Sequence, residues 1–522
     1  MTVTTRLDES SVSAAIVALT EALGDDNVIT SAGELLDYRD PYDYKGSDEH
    51  TGAAVVTPEK VGDVQEIVRI ANAFRVPLWT FGQGRNYAYG GPAPRVKGSI
   101  QLSFRKMNRV LDVDDELAYA VVEPGVRFQD LYDHLRKGGY RLWPSIPDLG
   151  WGSVVGNTLD SGRGYTRYGD HPSTQCGMEV VLANGELLRT GMGGLSGSKV
   201  WHLFRESYGP NHAGLFFQSN FGIVTKMGVW LMRAPEVYVS GWATWRDDEL
   251  VAGAVDALRE LMFDGVITNQ PLLGFGGPSA FGRDPGQGGW MVRFALYGRE
   301  PVIEAQYALV REALTRVGDG VHVGRRDYRG DDERCGATIH DDKVQGGVPG
   351  LELLEMFKQL NGEDAGHLDL SALGPLTGED VLKSIKLRRE LYDRHGLPYG
   401  AGIVLLQRSA LHISPVVCDT RDEQATRAGY AAYNAMVEDL AKAGYPVYRT
   451  NIQSMDVVAD QFDFGDHAQR RLNERLKDLL DPNGILSPGK QGIWPAHMRD
   501  GAAPATQREA RTTGAETRAR SE

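Results

Sequence analysis

Hydrophobic positions along the first 230 residues alternate between helical and strand spacing. Ile16, Leu19 and Leu23 share one helical face within 11–23. AAVVT (53–57) is a short apolar strand, and Pro58 is expected to open a helix whose Val61, Val64, Ile67, Val68 and Ala71 form one apolar face. PLWTFGQG (77–84) follows as a second strand ending in glycines, which completes a β-α-β unit. Further strands are predicted at SIQLSF (99–104), YAVVEPG (119–125), MEVVL (178–182) and GIVTKMGVWLM (222–232), with a helix at RFQDLYDHLRKG (127–138). Asn184-Gly185 marks a hairpin between MEVVL and ELLRTG.

From about 235 to 447 the texture changes. Strand-like WATW and GGWMVRFALYG alternate with long amphipathic stretches at 301–318 and 425–444, as in a separate α+β unit. The chain then returns to the first unit over 448–495, with a helix at AQRRLNERLKDLLD (468–481). Residues 496–522 are polar and poor in apolar side chains, and are expected to be disordered. The boundaries predicted are therefore 1–234 and 448–495 for one domain and 235–447 for the other, in an α+β chain.

The formal charge of −14 makes nucleic acid and anionic membranes poor partners. Cys176, Cys335 and Cys418 are too few and too scattered for a disulfide framework or a CxxC metal pair, so no metal site is expected. No signal peptide or membrane span is recognisable, and a cytoplasmic protein is expected.

Of the 63 glycines, none completes GxGxxG after a strand, and Gly484–Lys490 fails as a phosphate loop because Gln491 follows the lysine. By itself GQGRNYAYGG (82–91) reads sooner as a Gly-rich turn than as a backbone cradle for a diphosphate, since glycines mark turns more often than ligands.

Four longer segments change that picture: GRNYAYGGPAPRV (84–96), PDLGWGSVVGNTLDSGRGYTRYGDH (147–171), MEVVLANGELLRTGMG (178–193) and FFQSNFGIVTKMGVWLM (216–232). With PVYRTNIQSMD (446–456) and LKDLLDPNGILSPGKQGIWP (476–495), they resemble the vanillyl-alcohol oxidase and p-cresol methylhydroxylase family, on its bacterial eugenol oxidase side. The resemblance runs from about 35 to 495 and is nearly gap-free over 82–232. It implies a two-domain FAD-binding fold with an α+β cap over the flavin, a phenolic substrate, O2 as partner and a homodimer. Oxidation at the benzylic carbon would send a hydride to the flavin and produce H2O2. A same-fold dehydrogenase passing electrons to a cytochrome is the alternative, and a flavin binder without turnover a more distant one.

The resemblance also implies site residues. A phenolate needs a cation and hydroxyl donors around one oxygen, and the family's trio falls on Tyr89, Tyr448 and Arg449. Asp148 falls on the carboxylate that handles the proton beside the flavin; burial should raise its pKa, partly opposed by Arg449. Tyr165, Ser371, Gly402, Leu411 and His412 fall on the substrate pocket. Gly402 stands where relatives carry a bulkier polar side chain, so the pocket should admit more ortho-methoxylated, syringyl-type rings. His367, 81 residues before Tyr448, falls on the flavin tether, with His412 its rival. The remaining FAD contacts implied are Gly82, Gln83, Gly84, Arg85, Asn86, Leu149, Gly150, Ser153, Gly156, Asn157, Tyr168, Gly169, His171, Ile223, Val224 and Lys490.

Overall fold

The computed structural model describes residues 7–275 and 289–501. Strands β1 (Val28–Ile29), β2 (Ala54–Val56), β3 (Leu78–Phe81) and β4 (Ile100–Ser103) form a sheet in the order β1-β2-β4-β3, parallel on both sides of β4. Helices α1 (Glu9–Leu23) and α2 (Val61–Phe74) bury their apolar stripes against it, through Leu19, Val64, Ile67 and Val68. Helix α2 starts three residues later than Pro58 suggests. The Asp63 carboxylate accepts from the backbone N–H of Glu59 (3.0 Å) and Lys60 (3.2 Å), and this cap fixes the first turn.

A second, antiparallel sheet contains β5 (Val110–Asp114), β6 (Tyr119–Val122), β7 (Gln175–Val181), β8 (Leu187–Arg189) and β9 (Ile223–Trp230), in the order β5-β6-β9-β7-β8. The expected Asn-Gly hairpin joins β7 to β8. Every residue of β7 is buried, because β7 lies inside the sheet and is covered on both faces.

The cap is a single eight-stranded antiparallel sheet: β10 (Val237–Trp245), β11 (Leu272–Phe275), β12 (Trp290–Gly298), β13 (His322–Arg329), β14 (Ala365–Pro375), β15 (Ala401–Leu405), β16 (Ser409–Asp419) and β17 (Val447–Arg449). The order is β13-β10-β12-β11-β15-β16-β14-β17. Among its helices, in chain order, are α3 (Leu250–Phe263), α4 (Glu300–Thr315), α5 (His340–Gln345), α6 (Glu352–Asn361), α7 (Gly378–Arg394) and α8 (Glu423–Lys442).

Helices α3, α4 and α7 cover one face through Val255, Leu258, Val310 and Ile385. The opposite face turns toward the second sheet, and Leu272, Val404 and Leu411 share a core with Val122, Met178 and Met227. Tyr448 and Arg449 lie in β17, hydrogen-bonded to β14, so they are part of the cap sheet rather than of the return segment that begins after it. Residues 496–501 form a short 3-10 helix, not the start of a disordered tail, because Met498 buries itself against Val96 and Trp494. Residues 502–522 lie outside the described residues.

Candidate active site

The loop after β3 opens a long cleft between the first two sheets and the C-terminal return. Gly82 has no room for a side chain. A Cβ there would stand 2.6 Å from the Ser153 Cβ and 2.8 Å from the Pro124 carbonyl, so bare backbone forms the wall. Of the cofactor residues expected from the sequence, Gly82, Gln83, Gly84, Arg85, Asn86, Ser153, Gly156, Asn157, Ile223, Val224 and Lys490 line this cleft together.

Leu149, Gly150, Tyr168, Gly169 and His171 do not, and the structure gives them other tasks. Gly150 donates its N–H to the Gly350 carbonyl (3.0 Å) and so pins the Asp148 loop that Leu149 shares. Tyr168 packs on the Trp143 cluster, and the Gly169 carbonyl accepts from the Gly164 N–H (2.8 Å). His171 contacts the cleft residue Asn157 (2.6 Å) from behind; burial, with Arg163 nearby, lowers its pKa to about 3, so it is neutral.

Asp160 is a cleft residue that the sequence did not single out. It accepts from Asn86 Nδ2 (2.9 Å) and Lys490 Nζ (3.2 Å), and Arg449 stands 4.0 Å away. Burial pushes its carboxyl up, but Lys490 and Arg449 outweigh that and hold it below the usual range.

Strand alternation decides which cap residues can reach this region, since residues directly opposite on neighbouring strands share a face. Gly274, Gly402, Ile413, Ser371 and Arg449 form one cross-strand row on the face turned away from the helices. Arg293, Leu272, Val404, Leu411 and Leu373 form the next row on that face. The result is an apolar floor with a guanidinium at each end.

His367 lies on the same face, four residues before Ser371, in a strand and not in a loop. Its ring sits between Tyr42 (4.7 Å) and Phe357 (4.3 Å), with Nε2 3.7 Å from Asp369 and a buried Nδ1 that has no partner among the described residues. Burial lowers its pKa against the opposing charge of Asp369, so the imidazole is neutral.

His412 is paired with Ala372 and Ile403 and therefore projects from the opposite face, under α7. It contacts Ser384 Oγ (3.3 Å) and Tyr399 Oη (2.9 Å), and burial with the nearby Arg388 keeps it neutral. This corrects the expectation that His412 is a pocket residue or a rival tether: a one-residue step along a strand reverses the side.

At one end of the floor the Arg449 guanidinium lies 4.2 Å over the Tyr89 ring, one of its nitrogens donates to Asn86 Oδ1 (2.5 Å), and Tyr448 adjoins it in β17. Tyr89 Oη and Ser371 Oγ are 2.8 Å apart. Burial and then Asp369 raise the Tyr89 pKa, which Arg449 opposes, so Tyr89 remains a hydroxyl donor. Arg449 Nε is buried and has no partner among the described residues. This end thus retains an unused charged donor.

At the other end carboxylates meet the guanidinium directly, although Arg293 Nε, like Arg449 Nε, is buried without a partner among the described residues. Asp148 Oδ1 accepts from Arg293 (2.9 Å) and from His340 Nε2 (3.0 Å), and Oδ2 accepts from Tyr165 Oη (2.6 Å). Arg293 also stacks 4.1 Å over the Tyr165 ring. Burial raises the Asp148 pKa, as expected, but Arg293 and His340 reverse the balance and leave it well below the usual range. The expected elevation is therefore corrected, and the cation responsible is Arg293 rather than Arg449. Arg293 could have been noticed as a charge inside the otherwise apolar strand WMVRFALY, since unpaired charges are rarely buried. His340 carried no comparable signal.

These features fit an FAD. The glycine-walled cleft suits a diphosphate, and the orphaned donor of Arg449 and the charges of Asp160 and Lys490 suit a polar ring system and an anionic ligand at its end.

Comparison with known proteins agrees. An FAD binding domain family matches residues 52–191. The flavoprotein subunit of 4-cresol dehydrogenase [hydroxylating] from Pseudomonas putida is 33% identical over 496 residues, covering 90% of this chain and 94% of that protein. The 4-ethylphenol oxidase from Gulosibacter chungangensis, solved with isoeugenol, superposes with a TM-score of 0.87 at 34% identity, over 95% of this chain and 100% of that one. Substrate-bound p-cresol methylhydroxylase superposes at 0.86 and 30% identity, over 94% and 98%. A glycine-walled cleft joined to a sheet face with a cation at either end, in a chain that matches these proteins nearly end to end, identifies an FAD-dependent oxidoreductase belonging to the vanillyl-alcohol oxidase/p-cresol methylhydroxylase family.

Proposed function

We propose that this flavoprotein is an oxidase of para-substituted phenols of the guaiacyl and syringyl type, with O2 as acceptor and H2O2 as product. One observation carries the reading: Arg449 holds a buried unused donor at one end of an apolar floor, and Asp148 is fixed at the other. A phenolate oxygen bound by Arg449, Tyr89 and Tyr448 would lay its ring across Leu411, Val404 and Leu373. The ionised oxygen pushes electrons toward the para carbon, which eases hydride loss there. The bound FAD supplies the hydride acceptor. The residues of this chain bind the phenolate, exclude water with the leucine floor, and hold Asp148 as an anion near the electron-poor side chain of the resulting quinone methide. Whether water adds to that side chain or a proton leaves it decides between hydroxylated and desaturated products.

His367 is read as the covalent flavin tether, supported by its neutral imidazole and unpartnered Nδ1. Gly402 is read as the specificity position. Among the described residues a Cβ there would meet only Leu272 Cδ1, at 3.5 Å, so space is open on the floor beside Ile413 for a second methoxy group. The unit is read as a homodimer.

A second reading keeps the same site but passes electrons to a cytochrome; the likeness to a dehydrogenase subunit favours it. A peroxide-coupled screen of 4-ethyl, 4-allyl and 4-hydroxymethyl guaiacyl and syringyl phenols separates the two. Stoichiometric H2O2 is expected. Flavin reduction by these phenols with negligible peroxide and rapid cytochrome reduction would replace the first reading by the second, and no flavin reduction at all would overturn both. Acid precipitation tests the tether: a yellow pellet is expected from the wild type and a colourless one from His367→Ala.

A further inference from the structure

The Asp148 end of the site contains a group that the reaction as described does not use. His340 opens α5 and is nine-tenths buried. Its Nε2 is 3.0 Å from Asp148 Oδ1, and its Nδ1 faces Glu352 Oε2 at 3.9 Å, the separation of an ion pair rather than a hydrogen bond. Glu352, the first residue of α6, is 44% exposed and is also held by Lys343. One imidazole therefore stands between Asp148 and a carboxylate in contact with solvent.

Arg293 cannot do the same work alone, because it is divided. One terminal nitrogen bonds Asp148 (2.9 Å) and the other bonds Asp341 (2.5 Å). Asp148 thus receives a single N–H from the guanidinium, and its same oxygen takes a second donor from His340.

The charged and titratable groups facing His340 are Asp148 from the loop after residue 147, Arg293 from β12, Glu352 from α6, and Asp341 and Lys343 from its own helix. Arg293 and burial oppose a charge on the ring; Asp148 and Glu352, on its two nitrogens, favour it. The carboxylates prevail, and the His340 pKa rises to about 9.

We propose that His340 is a positioning residue that acts through Asp148: as an imidazolium it fixes the charge and orientation of that carboxylate, and Glu352 is its contact with solvent. This rests on the functional reading above. When His340 loses its proton, Asp148 keeps one charged donor instead of two, and the net charge beside the floor becomes one unit more negative. A bound phenolate then meets repulsion, so the loss should fall on kcat/KM before it falls on kcat.

The test is the pH profile of kcat/KM for 4-ethylphenol, with peroxide or flavin reduction as readout. His340→Asn keeps a donor but no charge. It is expected to lower kcat/KM about 10–100-fold at pH 7, the range for a hydrogen bond to a charged group, and to remove the alkaline limb that His340 sets. His340→Lys should recover most of the loss and carry that limb to higher pH. Glu352→Gln, at an exposed position, should move the limb to lower pH and decides the question if His340→Asn does not fold. A further readout needs no turnover. His340 has a higher pKa folded than its unfolded value of 6.5, so the stability it contributes is full below 6.5 and is lost as pH rises through about 9. The gap in unfolding free energy between wild type and His340→Asn should narrow over that window. Profiles and stability gaps that coincide across wild type, His340→Asn and Glu352→Gln would overturn the inference. If the wild type itself does not reduce its flavin with any 4-alkylphenol, it is the functional reading that fails.

Discussion

The two ends of the apolar floor use arginine in opposite ways. At Arg449 the guanidinium rests on Tyr89 and donates to the neutral amide of Asn86, while the Asp160 carboxylate is 4.0 Å away and also holds Lys490. At Arg293 two carboxylates bind directly and His340 adds a second charge. A buried cation with no carboxylate in direct contact gains most by taking up an anion, whereas one already paired with two carboxylates fixes an anion in place. The same residue type thus supplies recognition at one end and a permanent field at the other.

Breaking the carboxylate-paired end should cost most in stability. Arg293→Met removes the cation that Asp148 and Asp341 share and is expected to cost about 3–5 kcal/mol, read as a lower denaturant midpoint at unchanged slope; a shift under about 1 kcal/mol would mean that the remaining donors, protonation or hydration compensate. Breaking the open end should spare the fold and remove recognition. Arg449→Met is expected to lower kcat/KM for a 4-alkylphenol about 10²–10³-fold, and titration of the oxidised flavin with a non-reacting phenol should show binding weakened in parallel. Between the ends, Gly402→Gln fills the space beside Ile413 and should reduce turnover of dimethoxy relative to monomethoxy phenols about ten-fold; equal turnover of the two would remove Gly402 as the specificity position. The smallest effect sharpens the sidedness of the sheet. His412→Gln should leave the kinetics of the folded enzyme within about two-fold of wild type while costing about 1–3 kcal/mol of stability, because it alters only contacts to Ser384 and Tyr399 on the far face.

The sequence by itself determined whatever is local. The β-α-β start, the Asn-Gly hairpin and the helices at 128–137 and 423–442 follow from periodicity and turn chemistry within a few residues. The glycine cradle at 82–86 and the Tyr448-Arg449 pair are contiguous segments, so resemblance could carry them over intact. What the tertiary structure decided depends on strands meeting across long separations. Ser371 shares a row with Arg449, Arg293 reaches Asp148 over 145 residues, and His340 reaches it over 192. Register chose the face for Gly402 and denied it to His412. The direction of the Asp148 pKa was hidden for the same reason: burial alone raises a carboxyl, and only the fold shows which cations arrive to reverse it.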